Sequence, residues 1–315
     1  MIRIGIDIGG TGIQIGALDD NYHILNQASI PTCTNIPFEA QVDHMVACIH
    51  DVLRPEINPE LTMNHVLSIG AGIPGIANAE GTVINCTNLG WSYVPLREAF
   101  QKRIQKPFYV DNDANVAALA ESVAGISAGT SSSVFITLGT GIGSGIILNG
   151  KVWKGFHGIG GELGHMILKL DGKPCSCGNH GCVEQYCSAS AIIRMAREGL
   201  ADHPESCIHA ICGGDPGKIN AKTVFDALHK EDPWAGQIFT EYVSCLAQTI
   251  ANVTNFLDPE IIILGGGVSK AGSVLLDAVR MEFPKYVLFN DQPLPRVEIA
   301  SLGAEAGIIG AAMLS

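Results

Sequence analysis

The chain has 315 residues, of which 47% are hydrophobic and 16% charged, with a formal net charge of −12. That composition excludes an intrinsically disordered chain, and the acidic balance lacks the basic footprint of a nucleic-acid binder. At about 100–200 residues per domain the length implies two domains, and no apolar run approaches the ~20 residues that span a bilayer.

The first ten residues, MIRIGIDIGG, enter a strand pattern at once, without the basic, apolar and small-residue regions of a secretory leader. We therefore expect a soluble, cytoplasmic protein whose ten cysteines are reduced. Strands are predicted over Ile2–Ile8, Ile13–Leu18 and His23–Ile30, the first two joined by the tight turn Gly9-Gly10-Thr11-Gly12. Apolar positions at helical spacing (Val42, Met45, Val46, Ile49, Val52, Leu53) predict a helix over Phe38–Leu53. A strand follows at Val66–Ala71, then a helix over Pro95–Ile104 with proline in its first position, a strand at Phe108–Val110 and an alanine-rich helix over Asn112–Ala124.

Ser133–Leu138, a glycine turn from Gly139 to Gly145, and Ile146–Leu148 repeat the plan of the N-terminus: IGIDIGGTGIQIGAL and VFITLGTGIGSGIIL are both strand, glycine turn, strand. A period near 130 residues is too long for a solenoid and fits two related domains. Helices are predicted over Ser188–Leu200, Thr223–Leu228, Trp234–Leu257, Ser273–Glu282 and Ala304–Leu314, with strands at Ile261–Leu264 and Val297–Ala300. The segments Pro204–Lys218 and Asn290–Arg296 read as surface loops.

Three glycine loops, DIGGT, LGTGIGSG and LGGGV, each follow an apolar strand. A plain turn would account for any one of them. Together they suggest anion cradles, because backbone N–H groups freed at such turns can meet a phosphate where no Cβ intervenes. Neither a P-loop GxxxxGK[ST] nor a GxGxxG that opens a helix occurs, so a P-loop enzyme and an ordinary dinucleotide binder are excluded. In VDNDAN, residues 110–115, Asp111, Asn112 or Asp113 could cap the following helix; one cap needs one such residue, and four polar groups crowd here at the carboxyl end of a strand.

These motifs bring a family into view. In order they are DIGGT (7–11), NDAN (112–115), LGTGIGSG (138–145), GGELGH (160–165), CSCGNHGCVE (175–184) and LGGGV (264–268), and over essentially its whole length the chain resembles the ROK sugar kinases. GELGH followed by CxCGxxGCxE is the specific part. The resemblance implies an α/β fold of two RNase H-like domains of the actin-like ATPase class with an interdomain cleft. The small domain would span 1–120, completed by a helix from 303 to 315, and the larger one 121–302, with Gly303 and the 116–124 region as hinges. The winged helix-turn-helix of ROK repressors does not precede the first strand, which favours an enzyme over a regulator.

Cys175, Cys177 and Cys182 lie within eight residues of chain, the first of them separated from His165 by nine residues. Spacings of CxC and Cx4C are not a CxxC redox motif, and a cytosolic disulfide is not expected. Soft thiolates with one imidazole suit tetrahedral Zn²⁺, although spacing alone leaves open a turn that merely contains cysteines. In the ROK family this motif, with the GH histidine, holds zinc. The resemblance thus implies a closed structural zinc site of His165, Cys175, Cys177 and Cys182, with His157 and His180 outside it.

The resemblance also implies sugar contacts from Asn112, Asp113, Glu162, His165 and Glu184, with Asn88 a further one. Asp113 is expected to be the general base toward a primary hydroxyl. Asp7 is expected to hold Mg²⁺, directly or through water. Gly9, Gly10, Thr11 and Gly12, with Gly139, Thr140, Gly141 and Gly143, would cradle the ATP phosphates, and Gly265, Gly266 and Gly267 would lie beside the adenosine. The expected reaction is ATP-dependent phosphorylation of glucose at its 6-hydroxyl by a homodimer. Alternatives are another ROK hexose kinase (for fructose, allose, mannose, N-acetylglucosamine or N-acetylmannosamine), a non-catalytic sugar sensor, or a structural zinc protein.

Overall fold

Ile2, Ile4, Ile6 and Ile8 alternate along the first strand and are all fully buried. Our computed structural model describes residues 1–314. In chain order the elements are β1 (Ile2–Ile8), β2 (Gly12–Leu18), β3 (Ile24–Pro31), α1 (Phe38–Val52), β4 (Val66–Ile73), β5 (Ile76–Ala77), β6 (Val83–Cys86), β7 (Trp91–Val94), α2 (Leu96–Gln101), β8 (Phe108–Asn112) and α3 (Asp113–Ala124). They continue with β9 (Ser132–Leu138), β10 (Ile142–Leu148), β11 (Lys151–Val152), α4 (Glu184–Cys187), α5 (Ala189–Gly199), α6 (Ile208–Ile211), α7 (Ala221–Leu228), α8 (Pro233–Leu257), β12 (Ile261–Gly265), α9 (Ser273–Glu282), β13 (Arg296–Ile299) and α10 (Ala306–Met313). The chain forms two units: unit 1 holds Met1–Ser131, Gly145–Gly161 and the segment from Ser301, and unit 2 holds Ser132–Ser144 and Glu162–Ala300.

The sheet of unit 1 runs β3-β2-β1-β4-β8, with β1–β3 antiparallel and β4 and β8 parallel to β1. The second sheet runs β11-β10-β9-β12-β13, with β12 parallel to β9 and to β13. Both follow one order: three strands consecutive in the chain lie side by side, and parallel strands extend the sheet from the first of the three. The repeat legible in the glycine hairpins is therefore a repeat of topology. A third, three-stranded antiparallel sheet, β5-β6-β7, lies in unit 1.

Glycine explains how the closing helix sits on the first sheet. While the isoleucines of β1 build the core on one face with α1, Gly5 of β1 and Gly70 of β4 lie against α10. A Cβ on Gly5 would overlap the Ile308 carbonyl oxygen, and one on Gly70 that of Ala311. Backbone meets backbone here, which only glycine permits. Within the same unit, Glu121 of α3 is fully buried and gathers two distant segments. It accepts the Ile126 N–H at 2.8 Å, the Ser301 N–H at 2.8 Å and the Leu302 N–H at 2.9 Å, and Ser301 Oγ donates to it at 2.9 Å.

Several expectations need correction. Pro204–Lys218 is not loop throughout: it contains α6, whose Ile208 is fully buried, and Cys212 is buried beside it. Pro95 caps α2 from outside instead of occupying its first position, and that helix ends at Gln101. The β5–β7 sheet was not anticipated, because strands of two to four residues carry too little periodicity to register.

Candidate active site

In unit 1 the first glycine turn closes tightly. The Gly9 N–H donates to the Gly12 carbonyl at 2.9 Å. Thr32, at the end of β3, ties the turn down: its hydroxyl donates to the Gly9 carbonyl at 2.6 Å and its N–H to the Thr11 carbonyl at 3.2 Å. Gly12 itself begins β2. Asn88 lies beside Gly10, within van der Waals reach of where a Cβ would stand. Asp7, the last but one residue of β1, lies against Gly307 in the first turn of α10, where any side chain would overlap its carboxylate. Burial raises the pKa of Asp7 above its ordinary value, so this site holds a costly anion that a cation would relieve.

The junction of β8 and α3 presents the NDAN cluster. Asn112 is the helix cap: Oδ1 accepts from Ala114 N–H at 2.9 Å and Asn115 N–H at 3.4 Å, while Nδ2 donates to the Gly75 carbonyl at 3.2 Å. Asp113 begins α3 and accepts from Ala114 N–H at 2.8 Å. Its negative charge reaches Cys86 of β6, whose thiol is pushed up to about 11, first by burial and further by that carboxylate. Asp111 is buried, accepting from Asn112 N–H at 2.8 Å and Asn115 Nδ2 at 3.0 Å, with Lys154 Nζ 2.6 Å from its other oxygen.

In unit 2 the second glycine turn, residues 139–141, closes through Gly139 N–H to Gly141 O at 3.1 Å. It is fastened from three sides. Glu184 Oε2 accepts the Ile142 N–H at 3.0 Å, Ala189 N–H donates to the Gly139 carbonyl at 2.8 Å, and Ser190 Oγ donates to the Thr140 carbonyl at 2.8 Å. A Cβ on Gly141 would run into the Glu184 carboxylate. Gly143 lies in β10, past the turn. GELGH packs on the same place, with Gly164 against the Ile142 carbonyl. Glu162 is exposed and precedes the short 3-10 turn that carries His165.

His165, Cys175, Cys177 and Cys182 converge, with their ligand atoms all within 4.8 Å of one another. Cys177 Sγ lies 3.7 Å from Cys182 Sγ, and Cys175 Sγ 3.8 Å from His165 Nδ1. Two bonds of about 2.3 Å at the tetrahedral angle span about 3.8 Å, so these separations fit the edges of a tetrahedron around zinc, and they are far too long for a disulfide. Burial tends to raise the Cys175 thiol, but hydrogen bonding from Cys177, first through its N–H, and from His165 and Cys182 brings it down to about 6. Burial, with hydrogen bonds to Cys177 and Cys175 and their negative charge, pushes Cys182 up to about 12. A cluster that favours one thiolate and opposes further ionisation is what a cation would complete. The loop is shaped for it by Gly178 and Gly181, both at positive φ, and by Tyr186, whose hydroxyl accepts from Lys173 N–H at 2.8 Å. His157 and His180 are exposed and outside the four.

The third glycine loop follows β12. A Cβ on Gly265 would overlap the Phe135 ring, and Gly266 adopts φ +82 against the backbone of Leu138, whereas Gly267 faces open space. Packing thus explains the first two, and only Gly267 is left free of packing demands. The sequence reading missed Thr32, Lys154 and Ser190, and it weighed Asp111 only as a possible helix cap, a place that Asn112 takes. Ser190 could have been noticed beside Ser188, which caps α5. For Thr32 and Lys154 no local signal exists, since their partners are far along the chain.

The model of the ROK family matches residues 3–315. A glucokinase of Halalkalibacterium halodurans is 36% identical, covering 99% of this chain and 94% of its own length. A ROK family glucokinase of Streptomyces griseus, solved with glucose and AMPPNP, superposes with a TM-score of 0.83 at 33% identity, covering 99% of this chain and 98% of that one. An N-acetyl-D-glucosamine kinase of Yersinia pseudotuberculosis is 30% identical over 98% of this chain and 97% of its own. The chain belongs to the ROK family, and its α/β fold is that of the ROK sugar kinases.

Proposed function

We propose that the chain is an ATP-dependent hexokinase that phosphorylates glucose at its 6-hydroxyl. The observation that carries this is likeness over 99% of the chain to glucokinases, one of them solved with glucose and an ATP analogue. ATP and Mg²⁺ follow from the class of reaction.

On this reading Asp113 accepts the proton of the sugar's O6 as that oxygen forms its bond to the γ-phosphorus; the bond from the γ-phosphorus to the bridging oxygen breaks, and ADP leaves. Support for Asp113 comes from its place at the first turn of a helix whose cap, Asn112, is separately satisfied. The turns at 9–12 and 139–141, the second with Thr140 at its centre and Gly143 just beyond it, offer N–H groups to the phosphates, and Gly265–Gly267 lie beside the nucleoside. Asp7 would hold Mg²⁺, which when bound neutralises phosphate charge. Asn88, Asn112, Glu162, His165 and Glu184 bind the hexose hydroxyls. A zinc ion held by His165, Cys175, Cys177 and Cys182 orders the segments that carry Glu162 and Glu184. We further propose that the protein works in the cytoplasm as a homodimer, for which the family resemblance is the support; among the described residues no helix is long and apolar enough to cross a membrane.

Likeness to an N-acetyl-D-glucosamine kinase favours that substrate as the second reading. Coupled detection of ADP release with Mg-ATP, across hexoses and N-acetylhexosamines, decides between them. Glucose should stand clear in kcat/KM. Preference for N-acetylglucosamine would replace glucose, and silence with folded, metal-loaded protein would overturn the kinase.

A further inference from the structure

Asp111 and Lys154 belong to no part of the proposed chemistry, yet their pairing is unusual in its setting. Asp111 is only 6% exposed, near the carboxyl end of β8, the edge strand of its sheet. One of its oxygens joins the strand to the helix, through Asn112 N–H at 2.8 Å and Asn115 Nδ2 at 3.0 Å. Its other oxygen lies 2.6 Å from Lys154 Nζ, off the line of a well-formed hydrogen bond, so the contact is an ion pair. A carboxylate this buried would be strongly disfavoured without its cation. Lys154 is 46% exposed, so its ammonium keeps part of its hydration while neutralising Asp111.

Lys154 also stands at the neck of a closed loop. Its carbonyl accepts the Gly160 N–H at 2.8 Å, and Gly160 has no room for a side chain against Trp153 and the Lys154 backbone. Two residues beyond Gly160 the chain reaches Glu162, and two residues beyond Asp111 it reaches Asp113. One ion pair therefore joins the two backbone points from which a hexose ligand and the general base are delivered.

We propose that Lys154 and Asp111 are positioning residues for the acceptor sugar: the pair sets the stance of Asn112 and Asp113 and anchors the neck from which Glu162 departs. This rests on the hexokinase reading above. Neither side chain touches the phosphoryl donor on that reading, so the effect should divide between the two substrates.

The test is steady-state kinetics of zinc-loaded Lys154→Met, Lys154→Arg and Asp111→Asn, with KM measured separately for glucose and Mg-ATP. Lys154→Met should raise the KM for glucose about tenfold or more, since small misplacements of reacting groups are costly, with the KM for Mg-ATP within about twofold. Lys154→Arg should recover most of the loss. Combining Lys154→Met with Asp111→Asn should be no worse than Lys154→Met alone, because the buried charge left unpaired is removed. A Lys154→Met enzyme with unchanged glucose KM, or with both KM values raised alike, would overturn the proposal. So would failure of arginine to rescue. Should Lys154→Met fail to fold, Asp111→Asn and Lys154→Arg carry the same comparison. A parent enzyme inactive on every sugar would sink the functional reading and this role with it, whereas an active parent with indifferent variants would sink this role alone.

Discussion

Glu184 places a carboxylate oxygen 3.0 Å from the amide nitrogen of Ile142, so a residue proposed to bind sugar also fastens the glycine turn proposed to bind phosphate. Gly141 is glycine for the same reason, as a side chain there would displace that carboxylate. Within unit 2 the zinc segment, which ends at Glu184, and the phosphate turn are thus one connected piece of structure.

This relationship separates two substitutions. Glu184→Gln keeps an oxygen that can accept the Ile142 N–H, whereas Glu184→Ala leaves that amide without its partner. We expect Glu184→Gln to raise the KM for glucose about tenfold with little change for Mg-ATP, and Glu184→Ala to raise both, because buried or aligned polar partners left unmade cost about 1–3 kcal/mol. Initial rates with each substrate varied in turn check this; equal behaviour of the two variants would count against the double role.

Asp113→Asn removes the proton acceptor while keeping size and most hydrogen bonding. We expect kcat to fall about 10²–10⁴-fold with glucose affinity nearly retained. Equilibrium binding of glucose beside turnover measures both. Loss of affinity in step with turnover would make Asp113 a structural residue and not the base.

Asp7 supplies a prediction of opposite sign for stability and activity. Burial raises its carboxyl above the ordinary value of 3.8. A raised carboxylate pKa means that the folded chain holds the proton more tightly than the unfolded one. Stability from this group is therefore present at pH below the unfolded value and lost as pH rises through the folded value. At neutral pH Asp7→Asn relieves that loss, so its Tm should rise in the absence of nucleotide, while turnover of Mg-ATP should fall at least about a hundredfold. A melting curve shifted downward would show that Asp7 is stabilising as it stands.

The four-residue cluster predicts one zinc per chain. Stripping it should lower Tm by roughly 5 °C or more, because a ligand bound only by the folded state stabilises that state. It should also weaken glucose binding more than nucleotide binding. Metal analysis, with melting curves in the presence and absence of a chelator, tests the stoichiometry and the effect. Metal-free protein that melts unchanged would remove zinc from the account.

Much of the fold was legible because long elements carry their own periodicity. The alternating isoleucines of β1, the helical stripe of α1 and the unbroken apolar run of β12 each declare their class within a few residues. The short strands of β5–β7 and the turn of α6 did not, since their burial comes from neighbours and not from pattern. At the candidate site, thiol and imidazole ligands at short spacing were conspicuous because few other roles suit that combination.

By itself the sequence determined the chemistry on offer: which side chains are acids, bases, ligands and bare glycines, in what local order, and in two copies of one hairpin plan. Only the tertiary structure decided what each was pressed against. It put Gly5 and Gly70 under a helix from the far end of the chain, Thr32 on the first turn, Glu184 on the second and Lys154 beside Asp111. Those partners lie 23 to 303 positions apart, where no local propensity reaches; close packing of backbone on backbone brings the glycines under their helix, and the cost of burying an unpaired charge or amide brings the others together.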